Sequence, residues 1–452
     1  MSSTVISGAH VVTMDAARAE YPGGYVVLEG SRITEVGAGT GPCPDGARLV
    51  DGRGCLLTPG LVNTHQHLYQ WVTRGLAVDE TLFGWLRKLY PVWAGIDEHA
   101  VNVAARGALA WLARTGCTTS ADHHYVFPHG GGDLLAAEIE AARDVGLRFH
   151  PCRGSMDLGR SDGGLPPDEV VEDRDAVLTA SAEAADRWHD PTPGSMLRVA
   201  LAPCSPFSVT GELMRESAEL ARNRGLRLHT HLAETLDEES FCRERFGASP
   251  LEYVESLGWT GPDVWFAHAV HLDDAAVKRI GVTRTGVAHC PSSNARLGAG
   301  IARARDLRDA GGPVGLGVDG AASNEAGSLL EEVRHALLFA RARGGPEEMK
   351  VREALELATL GGAALLGRAE EIGSIEAGKL ADLALWRIDG FAHADVADPV
   401  AALVLGTPPP LELLLVDGRP VVEHDHALGV DEETLAREAT AVHRTLLERA
   451  TP

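Results

Sequence analysis

Between residues 59 and 318 the sequence alternates regularly between short apolar runs and longer amphipathic stretches. Strand-like runs fall at 61–65, 118–123, 148–152, 197–202, 226–231, 264–269, 286–289 and 313–318. Stretches with apolar residues at helical spacing lie between or after them, at 98–114, 134–144, 212–224 and 329–343. The runs are apolar on both faces, as in strands of a parallel sheet covered by helices. Eight such repeats predict a closed (β/α)8 TIM-type barrel, an α/β fold. The Gly- and Asp-rich segment 157–168 and the segment 172–193 read as long excursions at the barrel rim.

Both ends of the chain have a different texture. Residues 4–57 alternate short apolar runs with turns, including Glu29-Gly30 and Asp51-Gly52. Strand-like texture returns near Gly373, with runs at 400–405, 412–416 and 420–422. Neither end carries enough strands to fold alone. They are expected to combine as one small β-sandwich domain (1–57 with 370–430) beside the barrel (58–369). The last stretch, 431–452, places Leu435, Ala439, Val442 and Leu446 at helical spacing and reads as a terminal helix.

Bulk properties narrow the partners. The formal charge is 41 − 64 = −23, which argues against nucleic acid and anionic membranes. A small, neutral substrate fits better. The seven cysteines are an odd number, scattered, without a C-x-x-C pair, which predicts reduced thiols and a cytoplasmic setting. The N-terminus lacks the basic and apolar regions of a signal peptide, and no apolar run is long enough to span a bilayer.

The chemistry concentrates where barrel strands end, the face on which such barrels carry their active sites. The first strand ends in His65-Gln66-His67, two imidazoles that alternation aims at one point. The fifth ends in His231 and continues to Glu234; the sixth ends in His268; the eighth ends in Asp319. One strand-end histidine is ordinarily a packed core residue, but this set in register is hard to explain so. His65, His67, His231 and Asp319 make a ligand set for one divalent metal, Zn²⁺ first, with Fe²⁺ or Mn²⁺ acceptable. Such a metal activates a water. Glu234 is then the candidate general acid–base, Asp319 an acceptor for the water's proton, and His268 a neighbour that steadies the water.

Two metal signatures are absent: H-x-E with P-C-x-x-C, and H-E-x-x-H. The fourth strand has no lysine to bridge two metals. Candidate ring contacts are Gln70, whose amide both donates and accepts, Cys204 and Ser205 after the fourth strand, and one of His123 and His124. Of that pair, alternation lets only one point inward. Trp111 could stack on a flat base, although its Ala-rich helix suits core packing. Glu331-Glu332 and Glu347-Glu348 read as solvated helix faces, and the segment 289–294 as rim structure.

Taken together, Pro59-Gly-Leu-Val-Asn-Thr-His-Gln-His, His231-Leu-Ala-Glu234, Ala267-His268 and Val318-Asp319-Gly resemble the mononuclear deaminase branch of the amidohydrolase superfamily. The stretches Ala121-Asp-His-His-Tyr-Val-Phe-Pro128 and Cys152-Arg-Gly-Ser-Met-Asp-Leu-Gly159 are similar to its 8-oxoguanine deaminase members. The resemblance implies hydrolytic deamination at C2 of a 2-amino-oxopurine, 8-oxoguanine giving urate and ammonia. In that scheme Glu234 protonates the ring nitrogen, Asp319 passes the water's proton to the leaving ammonia, and His268 steadies the tetrahedral intermediate. Guanine deaminases of this superfamily carry an arginine near the end of the fourth strand. Here Ala202-Pro-Cys-Ser-Pro-Phe207 has none, which disfavours plain guanine. Alternatives are guanine, isocytosine, a pterin, a triazine or an adenosyl thioether. By the same analogy the chain is expected to form a homo-oligomer.

Overall fold

In a computed structural model describing residues 3–450, eight parallel strands close into a barrel. They are β1 (Leu61–Asn63), β2 (Cys117–His124), β3 (Arg148–Ser155), β4 (Ala200–Pro203), β5 (Arg227–Leu232), β6 (Val264–His268), β7 (Gly286–His289) and β8 (Val314–Leu316). Closure comes from β8 pairing with β1, Leu316 opposite Asn63. Trp265 is fully buried and clusters with the small residues Ala121, Cys152, Ala202 and Ala288.

The strand at 61–65 is shorter than the sequence suggests. Asn63 is buried, and its side chain takes over the ladder: Oδ1 accepts from Val318 N at 3.0 Å, while Nδ2 donates to Gln66 Oε1 at 2.9 Å and Ser120 Oγ at 3.0 Å. Beyond it a two-residue parallel pairing sets Asp319 opposite Gln66 and Gly320 opposite His67. The ends of β1 and β8 are thereby locked together.

Helices cover the outside where amphipathic spacing places them: Glu98–Arg114, Leu134–Val145, Gly211–Arg224 and Leu329–Gly344. Two expectations need correction. Residues 172–193 hold a regular barrel helix, Arg174–Trp188, started by Asp173, whose side chain accepts from the Asp175 and Ala176 amides. Residues 400–405, read as strand-like, form the helix Pro399–Leu405. Asp398 caps it and Pro399 occupies its first turn, a start signal that outweighs strand propensity.

Nine strands from both chain ends form one mixed sheet. At its centre Cys55–Pro59 pairs antiparallel with Leu383–Arg387. Alternation splits its faces. Leu56, Ala384, Trp386 and Leu414 turn toward the barrel core, whereas Leu57, Leu383, Leu385 and Leu413 join a second apolar cluster with Ile6, Val26 and Ile33. Arg148 at the start of β3 ties the barrel to the sheet. It donates through Nε and Nη2 to the Asp382 carboxylate at 2.9 and 3.1 Å, and both side chains are buried. The terminal helix Glu432–Ala450 buries Leu435, Val442 and Leu446. No helix among the described residues is long and apolar enough to cross a membrane.

Candidate metal centre and catalytic cavity

Period-two alternation brings His229 and His231 to the inner face of β5, and the strand-end corners deliver His65, His67, His268 and Asp319 to the same space. His65, His231, His268 and Asp319 each place a donor atom within 4.8 Å of the others, and all are buried. His67 joins them: its Nε2 lies 3.1 Å from His231 Nε2 and 3.1 Å from Asp319 Oδ1. His65 Nε2 is 3.3 Å from the same carboxylate oxygen.

The hydrogen bonds behind these rings fix their tautomers. His67 Nδ1–H donates to the His123 carbonyl at 2.7 Å, and His231 Nδ1–H to the Cys204 carbonyl at 2.7 Å. His229 Nδ1–H donates to the Trp265 carbonyl at 2.9 Å, so its Nε2 must accept from His65 Nδ1–H at 2.8 Å. In all three rings facing the centre Nε2 is therefore a bare lone pair. Burial drives the His65 pKa down to about 3; burial and then the neighbouring His65 push His231 well below the usual histidine range. Both of these rings are held neutral. Burial alone would raise the Asp319 carboxyl; positive charge at the His65 and His67 nitrogens, a ring proton or a cation in its place, outweighs that and holds it well below the usual carboxylate range. Three lone pairs and a carboxylate oxygen thus face one another with no proton among them. Such acceptors repel unless a cation sits between them. Donors bound at ~2.0–2.1 Å in a tetrahedron stand about 3.3 Å apart, close to the spacings here. The residues fit a divalent metal, and second bonds from the rings to carbonyls are what such a site needs to orient its ligands.

Glu234 stands on the other side of His268, with Oε2 3.6 Å from His268 Nε2. Burial, reinforced by the Asp319 charge, pushes its pKa well above the ordinary value and so favours its protonated form. Its Oε1 is buried without a partner. The strand-end turns are held in uncommon backbone conformations: Ala233, His268, Ala269 and Asp319 all have positive φ, between 48° and 69°. Strain of this kind persists only where surrounding bonds enforce it.

Those bonds come from residues that the sequence reading missed. Glu238, buried, accepts from the Ala233 and Glu234 amides at 2.8 and 2.9 Å and so holds the turn carrying Glu234. Asn294 Oδ1 accepts from His268 Nδ1–H at 2.9 Å. Ser293 and Ser323 donate to Asp319 Oδ2 at 2.5 and 3.1 Å. The segment 289–294 is thus part of the site's support as well as rim structure. Glu332, expected on a solvated face, is fully buried and accepts from Ser292 N at 3.0 Å and Asn324 Nδ2 at 2.9 Å. A polar residue four positions after Glu234 was the one local hint for Glu238; the other partners lie far off in sequence.

A narrow cavity opens onto the centre. Gln70, Cys204, Glu234, His268 and Asp319 line it, with Trp85, Tyr90, Tyr125 and Phe207 as aromatic walls. Trp85 is pinned by its Nε1–H to the Ala322 carbonyl at 3.1 Å. Both amide atoms of Gln70 are buried without partners. The other candidate ring contacts lie elsewhere. His124 turns away from the cavity onto Glu138, at 2.6 Å, while His123 points inward and stacks on His231. Ser205 bonds Ser208 at 2.7 Å. Trp111 donates to the Ala326 carbonyl at 2.7 Å and lines an outer groove against the terminal helix. These positions follow from alternation along β2 and from the apolar face of the helix Glu98–Arg114.

Comparison with known proteins agrees with this geometry. Residues 56–421 match the model of the amidohydrolase family. The chain is 44% identical over 427 residues to 8-oxoguanine deaminase of Pseudomonas aeruginosa, covering 94% of this chain and 95% of that protein. It is 37% identical over 468 residues to an isoxanthopterin deaminase of an unknown prokaryotic organism, covering 99% and 96%. Among solved structures, atrazine chlorohydrolase from Arthrobacter aurescens complexed with zinc superposes with a TM-score of 0.93 at 34% identity, covering 97% of this chain and 100% of that one. The chain belongs to the amidohydrolase family and is a hydrolase acting on C–N bonds.

Proposed function

We propose that the protein deaminates an amino-oxopurine, 8-oxoguanine to urate and ammonia, using one zinc ion held by His65, His67, His231 and Asp319. The observation that carries the substrate class is Gln70. A buried amide with both O and N unpartnered, on the wall of a cavity with aromatic sides, asks for a flat ring edge bearing a donor and an acceptor side by side. An oxopurine has such an edge. The 44% identity to a bacterial 8-oxoguanine deaminase supports the same choice.

When bound, the zinc supplies Lewis acidity and lowers the pKa of a water toward neutrality. The side chains divide the remaining work. Asp319 Oδ1 faces the metal donors, and Oδ2, steadied by Ser293 and Ser323, is kept ionised to take the water's proton. Glu234 enters protonated and delivers its proton to the ring nitrogen beside C2, so that the carbon accepts the water's oxygen. His268, oriented by Asn294, holds the developing alcohol through Nε2. Asp319 then gives its proton to the departing amine and ammonia leaves, while the alcohol loses its proton to Glu234 by way of His268, which forms the C2 carbonyl and restores the acid. Aromatic walls exclude bulk water and sandwich the ring.

The test is ammonia release from 8-oxoguanine, guanine, isocytosine, isoxanthopterin and an aminated triazine by the zinc-loaded protein. The expected result is the highest kcat/KM for 8-oxoguanine. The second reading, another amino-heterocycle, is favoured by the TM-score of 0.94 to a triazine hydrolase. It wins if a pterin or triazine turns over faster, and ammonia from none of the five overturns both.

A further inference from the structure

The opposite end of the barrel, where β3, β4 and β5 begin, carries a second polar cavity that the chemistry above does not use. It has a volume of about 230 Å3, and its polar wall consists of His150, His189, Arg198 and Arg227. No Asp or Glu lines it among the described residues.

Every one of these side chains is a donor. The Val199 amide donates to His189 Nδ1 at 3.1 Å, which leaves the ring N–H on Nε2. Arg368 donates to His150 Nε2 at 3.4 Å, which leaves its N–H on Nδ1. Arg198 spends Nε on Ser195 Oγ and Nη2 on Thr192 and Glu371, and no described acceptor meets its Nη1. Arg227 has one bond, from Nη2 to the Pro262 carbonyl at 2.8 Å. Its Nε is buried without a partner, and no carboxylate pairs with it among the described residues.

Charge points the same way. Behind the wall lie Arg148 and Arg368, so four guanidiniums crowd this end of the barrel, with Glu371, Asp382 and Asp417 as paired carboxylates and Asp190 and Asp263 acting at longer range. Burying the guanidiniums is still costly, since it pulls the pKa of both Arg227 and Arg368 down to about 10. An anion in the cavity would relieve that cost.

We infer that this cavity binds a tetrahedral oxyanion of the phosphate class, free or carried on a phosphomonoester, through Arg227 and Arg198 with the two histidines as further donors. The planar guanidinium fork presents paired N–H groups that match two oxygens of such an anion. The volume exceeds what the bare ion needs, which leaves space for an ester group. Among the described residues the histidines are the only aromatic rings on the wall, so a nucleobase finds no stacking platform there. The inference is independent of the substrate assigned to the catalytic cavity.

Thermal melting in phosphate against chloride at matched ionic strength tests it, with inorganic phosphate and ribose 5-phosphate as probes. The expected result is a saturable rise in Tm of at least about 2 °C that chloride does not give. Half-saturation at lower concentration with the ester marks a carried phosphate; at lower concentration with the free ion, inorganic phosphate. Arg227→Gln and Arg198→Gln should each raise the half-saturating concentration at least about tenfold, one bidentate contact being lost. Arg198 is only partly buried and bonded mainly at its rim, so its variant keeps the test alive if Arg227→Gln does not fold. Absence of a saturable shift with either probe, or an undiminished shift in both variants, overturns the inference.

Discussion

At the scale of single residues, the account rests on protons having only certain places to be. His65, His67 and His231 spend their ring N–H groups on His229 and two carbonyls, so their other nitrogens can only accept. Glu234 beside them is the carboxyl that burial and the Asp319 charge push toward its protonated form. Glu234→Gln keeps the shape but gives no proton, and should lower kcat by about 10³-fold or more while bound zinc is unchanged; zinc content and ammonia release on one sample decide it. Glu238 acts through Glu234. In Glu238→Gln one of the two amides at the Ala233–Glu234 turn loses its acceptor, so kcat should drop with little change in KM. An altered KM with unchanged kcat would assign Glu238 to substrate binding instead. The first-line residues were legible because they end strands. Glu238, Asn294 and the serines were not, since nothing local distinguishes a carboxylate that caps a buried turn from one in solvent.

Elements explain which readings held. Parallel strands buried on both faces and helices with one apolar stripe are marked by periodicity, so the barrel could be drawn from sequence. The helix Pro399–Leu405 could not be, because its Val and Leu residues fit either element and only the Asp398 cap decides. The helix Leu329–Gly344 carries a buried acid on its inner face. Burial raises the Glu332 pKa from 4.5 to about 8. A carboxyl whose folded pKa is raised favours the folded state fully below the unfolded pKa and loses that advantage as pH climbs to the folded one. Stability should therefore fall between about pH 4.5 and 8, by up to about 1.4 kcal/mol per pH unit from this group. Glu332→Gln should flatten that slope in denaturant titrations at pH 5, 6, 7 and 8. An equal slope in both proteins would place the loss in other groups.

Across the whole molecule, two chain ends close one sheet against the barrel. Composition suggested that pairing, since neither end had strands enough to stand alone, but the contacts that enforce it are invisible in a linear reading. Arg148 and Asp382 are 234 residues apart and form the buried pair between the two units. Arg148 also donates to the Gly194 and Ser195 carbonyls at 2.9 Å. Arg148→Ala leaves Asp382 buried and uncompensated, and should cost about 3–5 kcal/mol, read as an earlier denaturant midpoint. Replacement of both partners by apolar residues should recover most of that loss. The joint matters for chemistry because β3 packs against β4, whose end carries the Cys204 carbonyl that orients His231.

The central claim is that these strand ends hold one cation between three imidazoles and an aspartate. Elemental analysis combined with X-ray absorption at the zinc edge measures this directly. The account predicts one zinc per chain in a nitrogen- and oxygen-rich shell at ~2.0–2.1 Å, lost together with activity in His231→Ala. A sulfur-containing shell, or full zinc content in that variant, would contradict it.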